Sequence, residues 1–193
     1  MQGAGTRFYF ALVALVVVER LFELYLSARN ARRVAARGAI EGESRAFYGA
    51  IVLFHTLFLV AGPLEVVLLA RPFVPALALP ATALVVLAMA LRYWAIATLG
   101  ERWNSRVLVV PGEGAVTGGP YRFVRHPNYV AVYAEVAALP LVHTAWVTAL
   151  VATAVNALLL RHRIRHEELA LERAGDYRAR LGDRPRFLPG SPG

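Results

Sequence analysis

The chain has 193 residues, the length of one compact domain, and is 58% hydrophobic but only 18% charged, with a mean hydropathy of +0.49. That balance excludes an ordinary water-soluble domain and points to an all-α integral membrane protein. All 21 basic residues are arginine, the formal net charge is +8, and there is no cysteine, so disulfides, thiolate metal sites and thiol nucleophiles are excluded.

Residues 8–26 form the first apolar run, close to the ~20 residues that carry a helix across a bilayer core. Nothing at the amino end resembles a cleavable signal, because a basic run and a small-residue cleavage site are both missing. Residues 47–70 are the second span, with Gly62 and Pro63 marking a kink. Residues 73–99 are the third, and Pro75 and Pro80 lie in its first turns, where proline is tolerated. Residues 100–124 mix valines with Gly112, Gly114, Gly118, Gly119 and Pro120. An interval of this length without regular structure is usually functional or disordered, and its valines argue for a lid or pocket wall over the membrane surface. Residues 128–142 are a short segment turning at 140–144 into residues 145–160, a tight helical hairpin. The expectation is a single membrane domain over 1–193 with about five transmembrane helices, three of them within 1–98.

Arginine placement sets the orientation. Residues 27–46, residues 92–127 and the tail from Arg161 hold eighteen of the arginines, whereas Arg7 and Arg71 alone fall on the other side. By the positive-inside rule the amino end lies outside and the carboxyl end in the cytoplasm. Arginines beside apolar spans meet lipid headgroups, and nothing resembles a nucleic-acid motif. His162 and His166 are four apart, but Arg161, Arg163 and Arg165 around them oppose a dication, and no metal site is expected.

Two polar clusters carry the chemistry. In Arg125-His126-Pro127-Asn128-Tyr129, the residue before proline is pushed out of helical geometry, and Pro127 suits a first helical position. A helix starting there, flanked by Arg125 and His126, is an anion site, or else an interfacial anchor. Glu167 and Glu168 follow the last apolar segment. They form a solvated face, or one meets a ligand cation or ribose hydroxyls while the other orients Arg125 or His126. Glu19, Arg20 and Glu23 fall inside the first span, where Arg20 and Glu23 can pair along the helix. Trp94 and Trp103 read as interface markers, and His55 as a core or interhelical hydrogen-bonding residue.

Gly-Gly-Pro-Tyr (118–121), Arg-His-Pro-x-Tyr (125–129), Glu167-Glu168 and then Tyr177 together resemble the isoprenylcysteine carboxyl methyltransferase family and the related phospholipid methyltransferases, over roughly residues 99–188. The resemblance implies an integral membrane enzyme using S-adenosyl-L-methionine without a Rossmann fold. The cofactor pocket would lie on the cytosolic side, built from residues 99–193. Carried onto this chain, the cofactor contacts are Val116, Tyr121, Arg125, His126, Pro127, Tyr129, Glu167 and Glu168. Arg125, His126 and the helix start would meet the methionine carboxylate, Glu167 or Glu168 the amine or ribose, and Tyr121 and Val116 the adenine. Arg106, Arg125 and Glu168 would act at the reacting centre, Arg106 holding an oxyanion. Leu-Gly-x-Arg-Trp (99–103) and Arg-Ile-Arg-x-Glu-Glu (163–168) resemble bacterial members found with type III polyketide synthases, which implies a bacterial inner membrane and O-methylation of a lipophilic acceptor. That acceptor is a prenylcysteine-like carboxylate or a long-chain alkylpyrone or alkylresorcinol.

Alternatives are a phospholipid N-methyltransferase, a non-catalytic scaffold, and an NADPH-dependent sterol or enone reductase. The reductases share an Arg-His-Pro-Asn-Tyr motif, but theirs continues differently from Val130-Ala131-Val132 here. An amine acceptor predicts an acidic pocket, whereas the charged segments here are rich in arginine. The sequence names no protein partner.

Overall fold

A computed structural model describes residues 2–187; residue 1 and residues 188–193, which the single-domain reading includes, lie outside the described residues. The order is α1 (Gln2–Ala35), β1 (Ile40–Glu41), α2 (Arg45–Leu68), α3 (Pro75–Leu99), β2 (Leu108–Val109), α4 (Pro127–Ala138), α5 (Trp146–Ala174) and α6 (Tyr177–Leu181). The all-α expectation holds, with a single two-stranded antiparallel pair among the described residues. Three helical segments there are long and apolar enough to cross a membrane: α2, α3 with the turn after it, and α5. α1 is longer than any of them at 34 residues, but Glu19, Arg20 and Glu23 interrupt its apolar run.

Local chemistry sets the helix ends. Ser44 caps α2, its hydroxyl accepting from the Phe47 amide at 3.2 Å. Pro75 opens α3, and Gly100 ends it with φ at 57°. α2 runs through Pro63 without interruption. α1 passes the expected end of its span by more than two turns, because its carboxyl-terminal end is tied down. Asn30 donates to the Trp103 carbonyl at 2.8 Å, and Ser27 meets the Ser105 hydroxyl at 2.8 Å. What reads as a loop after residue 26 is therefore largely helix.

α4 has 12 residues, about 18 Å of rise, too short to cross the ~30 Å core alone. A 3₁₀ turn (Pro140–His143) and the left-handed Thr144 (φ 54°) then reverse the chain into α5. This turn lies level with the amino-terminal ends of α1 and α3: His143 Nε2 is 2.9 Å from Thr6 Oγ1, and Thr144 Oγ1 donates to the Pro72 carbonyl at 2.5 Å.

The core lies among the helices, with Tyr9, Val16, Phe58, Val85 and Val136 drawn from four of them. Leu53, Leu57, Leu64 and Leu68 of α2 point outward, the stripe a lipid-facing helix needs. In lipid, apolar packing alone gives helices little preference for one neighbour, so buried polar pairs help fix the arrangement. Glu65 on α2 accepts from the first amides of α5, Thr148 N at 2.6 Å and Val147 N at 3.2 Å, and pairs with Arg71 at 2.8 Å. Arg20 bridges Glu23 (2.8 Å) and Glu135 (3.1 Å), and Arg92 binds Glu23 through Nε (2.5 Å) and a terminal nitrogen (2.6 Å). The expected Arg20–Glu23 pair is thus part of a four-residue cluster joining α1, α3 and α4.

Candidate active site

α4 starts as its sequence predicts: Pro127 occupies the first turn and His126 lies outside helical geometry with φ −127° and ψ 59°. The preceding segment turns back at Gly119, whose φ of 53° suits glycine and whose missing side chain lets Thr98 approach. From the other direction comes α5. Its apolar part ends at Leu160, and the turns that follow carry Arg163, Glu167 and Glu168 to the end of the bundle where α4 starts.

The two motifs meet there. His126 Nε2 is 3.1 Å from Glu168 Oε1, across 42 residues of sequence. Arg186 binds the same carboxylate through Nε (3.1 Å) and a terminal nitrogen (2.7 Å), and Arg125 approaches it at 3.5 Å. Burial opposes the charge of Glu168, but hydrogen bonds from His126 and Arg186 and their charges outweigh it, and the carboxyl is held at about 2. With Glu168 ionised, His126 Nε2 carries the hydrogen. The Tyr177 hydroxyl lies 3.4 Å from that nitrogen. Its acidity is suppressed by burial and by the charges of Glu168 and Glu167.

Glu167 points elsewhere. It accepts a hydrogen bond from the Tyr129 hydroxyl, which in turn accepts from Arg163 Nε at 3.0 Å. Arg163 also donates to the Ser105 carbonyl and pairs with Glu43 at 3.5 Å. The adjacent carboxylates thus divide, as helical geometry requires of neighbours.

A cavity of about 560 Å³ runs from these groups to apolar residues of α1 and α2. At one end lie Val116, Tyr121, Arg125, His126, Tyr129 and Glu167; at the other the walls are apolar residues of α1 and α2 such as Val17, Leu21, Val52 and Leu59. Arginines outnumber glutamates along it. Residues 100–124 are a wall, as expected. β2 in that stretch pairs with β1, Ile40 opposite Val109, and fastens the wall to the α1–α2 connection.

The remaining expected site residues are placed as follows. Pro127 and Glu168 stand behind the lining. Arg106 lies on the lining but is engaged with Glu41 at 2.5 Å. Trp94 is exposed beside Phe123, whereas Trp103, expected as an interface marker, is 3% exposed and lines the cavity. His55 also lines it, and bonds within its own helix rather than across helices. Two features had no sequence signal. One is the Arg163–Tyr129–Glu167 relay. The other is the tail at 184–186, where the Pro185 and Arg186 carbonyls accept from the Arg125 (2.9 Å) and His126 (3.1 Å) amides.

The pocket suits a ligand carrying both a carboxylate and a cation. Arg125 Nε is buried with no hydrogen-bond partner among the described residues, a donor for a carboxylate beside the α4 start. Asn128 Oδ1 is likewise a buried acceptor lacking a partner there, and Glu167 supplies negative charge. Among the described residues no cluster of histidines and carboxylates can hold a metal ion.

The sequence model of the isoprenylcysteine carboxyl methyltransferase (ICMT) family matches residues 81–173. An uncharacterized protein of Bacillus subtilis (strain 168), YpbQ, is 39% identical over 166 residues, 85% of this chain and 96% of that protein. An uncharacterized protein of Haemophilus influenzae is 28% identical over 159 residues, 82% of this chain and 91% of its own.

Proposed function

This chain belongs to the isoprenylcysteine carboxyl methyltransferase family of membrane methyltransferases, and from that premise we propose that it O-methylates a lipophilic acceptor from S-adenosyl-L-methionine at the membrane–cytosol boundary. The observation that carries the reading is the single cavity running from the His126–Glu167 end to the apolar walls of α1 and α2. One reactant is soluble and the other dissolves in lipid, and only a site open to both phases can bring them together.

When bound, the cofactor supplies an electrophilic sulfonium methyl. The chain supplies position and dryness, which such a displacement needs more than a strong acid or base. Arg125, His126 and the α4 start hold the carboxylate of the methionine moiety. Glu167, kept in place by Tyr129, takes its ammonium. Tyr121 and Val116 flank the adenine, and Pro127 fixes the helix start. Glu168 acts from behind: ionised and bound to His126, Arg125 and Arg186, it holds the two motif residues in place. The excess of arginine over glutamate along the cavity favours an acceptor oxygen that gains or carries negative charge over an amine. Arg106, which lines the cavity and pairs with Glu41, is the residue to hold it.

The reading includes five crossings with the amino end outside. α1 is the first, and α4 with its 3₁₀ turn is the fourth, a short one that reaches the outer end of the bundle. It also includes a bacterial inner-membrane location and an acceptor of the carboxylate, alkylpyrone or alkylresorcinol type.

The test is transfer of labelled methyl from S-adenosyl-L-methionine to a lipid extract by purified protein in nanodiscs. The label should appear in an alkali-labile ester or an aryl or enol ether, and His126→Ala should abolish it. Label confined to phospholipid amines, or NADPH oxidation with an enone lipid and no methyl transfer, contradicts the proposal.

A further inference from the structure

The cavity holds a second polar level, deep in the bilayer, that the cofactor site does not use. α2 and α5 run antiparallel, shown by Glu65 near the end of α2 meeting Thr148 near the start of α5. At the cytosolic side, Tyr48 of α2 and Arg163 of α5 share one residue: the Tyr48 hydroxyl lies 2.9 Å from Ser105 Oγ, and Arg163 donates to the Ser105 carbonyl. His55 lies seven residues beyond Tyr48, and Asn156 seven before Arg163. Seven residues are close to two helical turns, about 10 Å of rise along the same face. His55 and Asn156 therefore stand level with each other, and both line the cavity.

Their hydrogen-bonding states are unusual for that depth. Asn156 is 1% exposed, yet its Nδ2 has no hydrogen-bond partner among the described residues. Arg92, which also lines the cavity, has one terminal nitrogen in the same condition, although Glu23 satisfies the rest of its guanidinium. An amide left unmatched at a buried site destabilises the fold. His55 offers the complement. Its Nδ1 lies 2.9 Å from the Ile51 carbonyl, which can only accept, so in the neutral ring Nδ1 carries the hydrogen and Nε2 is a lone-pair acceptor. Two donors and one acceptor thus line the same cavity, with His55 and Asn156 level with each other and the apolar Leu21 and Leu59 alongside. The nearby charges are already balanced, Arg20 and Arg92 against Glu23 and Glu135.

We propose that Asn156, Arg92 and His55 form a deep subsite for a neutral hydroxyl carried by a lipophilic acceptor. The hydroxyl oxygen accepts from Asn156 and Arg92, its hydrogen is donated to His55 Nε2, and the alkyl part lies along Leu21 and Leu59. An ammonium would leave both donors unmatched and add a cation beside Arg92. A hydrocarbon would leave all three groups unmatched. The subsite rests on the proposed function only in treating this channel as the acceptor's way in.

The test needs no cofactor. Protein in nanodiscs is melted with 4-dodecylphenol or with dodecylbenzene, which differ by the hydroxyl alone. The phenol should raise the Tm of wild type by several degrees and dodecylbenzene should not. Asn156→Leu should melt higher than wild type without ligand, because it removes the unmatched amide, and should lose the phenol shift; His55→Phe should lose that shift too. A 4-dodecylphenol bearing a diazirine beside the ring should label wild-type α2 or α5 near His55 and Asn156, a readout independent of either variant folding. Equal shifts with both probes, a phenol shift kept by both variants, a lower ligand-free Tm in Asn156→Leu, or labelling at the cytosolic end overturns the subsite. S-adenosylhomocysteine affinity is measured in parallel and should be the same in Asn156→Leu and wild type. Its absence from wild type counts against the methyltransferase reading and leaves the phenol result to stand alone.

Discussion

Replacing Glu168 with glutamine removes the charge on which both motifs converge while keeping the side chain's shape. In the wild type that carboxylate takes His126 at 3.1 Å and Arg186 at 2.7 and 3.1 Å, and its carboxyl is held at about 2 against an ordinary 4.5. At about 1.4 kcal/mol per pH unit, that gap amounts to about 3 kcal/mol. Arg186 is half exposed, so screening trims the figure to about 2 kcal/mol. For a chain of this size the loss is a Tm drop of roughly 4–8 °C at pH 7. The folded carboxyl is the more acidic one, so its contribution is full above about pH 4.5 and fades as the pH falls toward 2. Thermal unfolding of wild type and Glu168→Gln in detergent should therefore show a gap that is constant from pH 7 to about 5 and falls below half by about pH 3. Equal melting temperatures at pH 7, or a gap as wide at pH 3 as at pH 7, refutes the reasoning.

Arg92→Gln should destabilise by about 3–5 kcal/mol, because it leaves Glu23 buried with half its partners, and pairing it with Glu23→Gln should recover part of the loss in a double-mutant cycle. Additive losses would show that the two do not act as a pair. Gly119→Ala should cost about 2 kcal/mol or more, since φ is 53° and the new methyl meets Thr98; Thr98→Ala in the same chain should relieve the clash but not the backbone strain. A silent Gly119→Ala would contradict the turn geometry. The chain has no cysteine, so single cysteines report topology directly. Cysteine in place of Arg71 should be labelled by an impermeant maleimide from outside intact cells, and cysteine in place of Arg173 only after lysis. The reverse pattern contradicts the orientation, and labelling of both from outside contradicts an odd number of crossings between the two positions.

Much of this site was legible because its residues carry local signals. Pro127 marks a helix start, and Glu167 and Glu168 follow the apolar run that ends at Leu160. Two such points on consecutive elements of a hairpin have to come close, and His126 and Glu168 do. The end of α1 was not legible, because the loss of apolar residues after Leu26 looks like the end of a helix. The segment is instead rich in alanine and arginine, both good helix formers, and Ser27 and Asn30 hold it against residues 103–105. Partners far apart in sequence stayed hidden as well. Periodicity assigns Arg92 or Arg163 to a helix face, but not the helix that face will meet. The tail residues 184–186 give no periodic signal at all, yet their carbonyls tie the site shut behind Arg125 and His126.

The central claim is that the two motifs build one cofactor pocket, and calorimetric titration of S-adenosylhomocysteine into folded protein in nanodiscs tests it most directly. Saturable one-site binding is predicted for wild type, weakened at least tenfold by His126→Ala and by Glu167→Ala and left intact by Arg106→Gln. Folded wild type that takes up no S-adenosylhomocysteine, or binding indifferent to both His126 and Glu167, contradicts it.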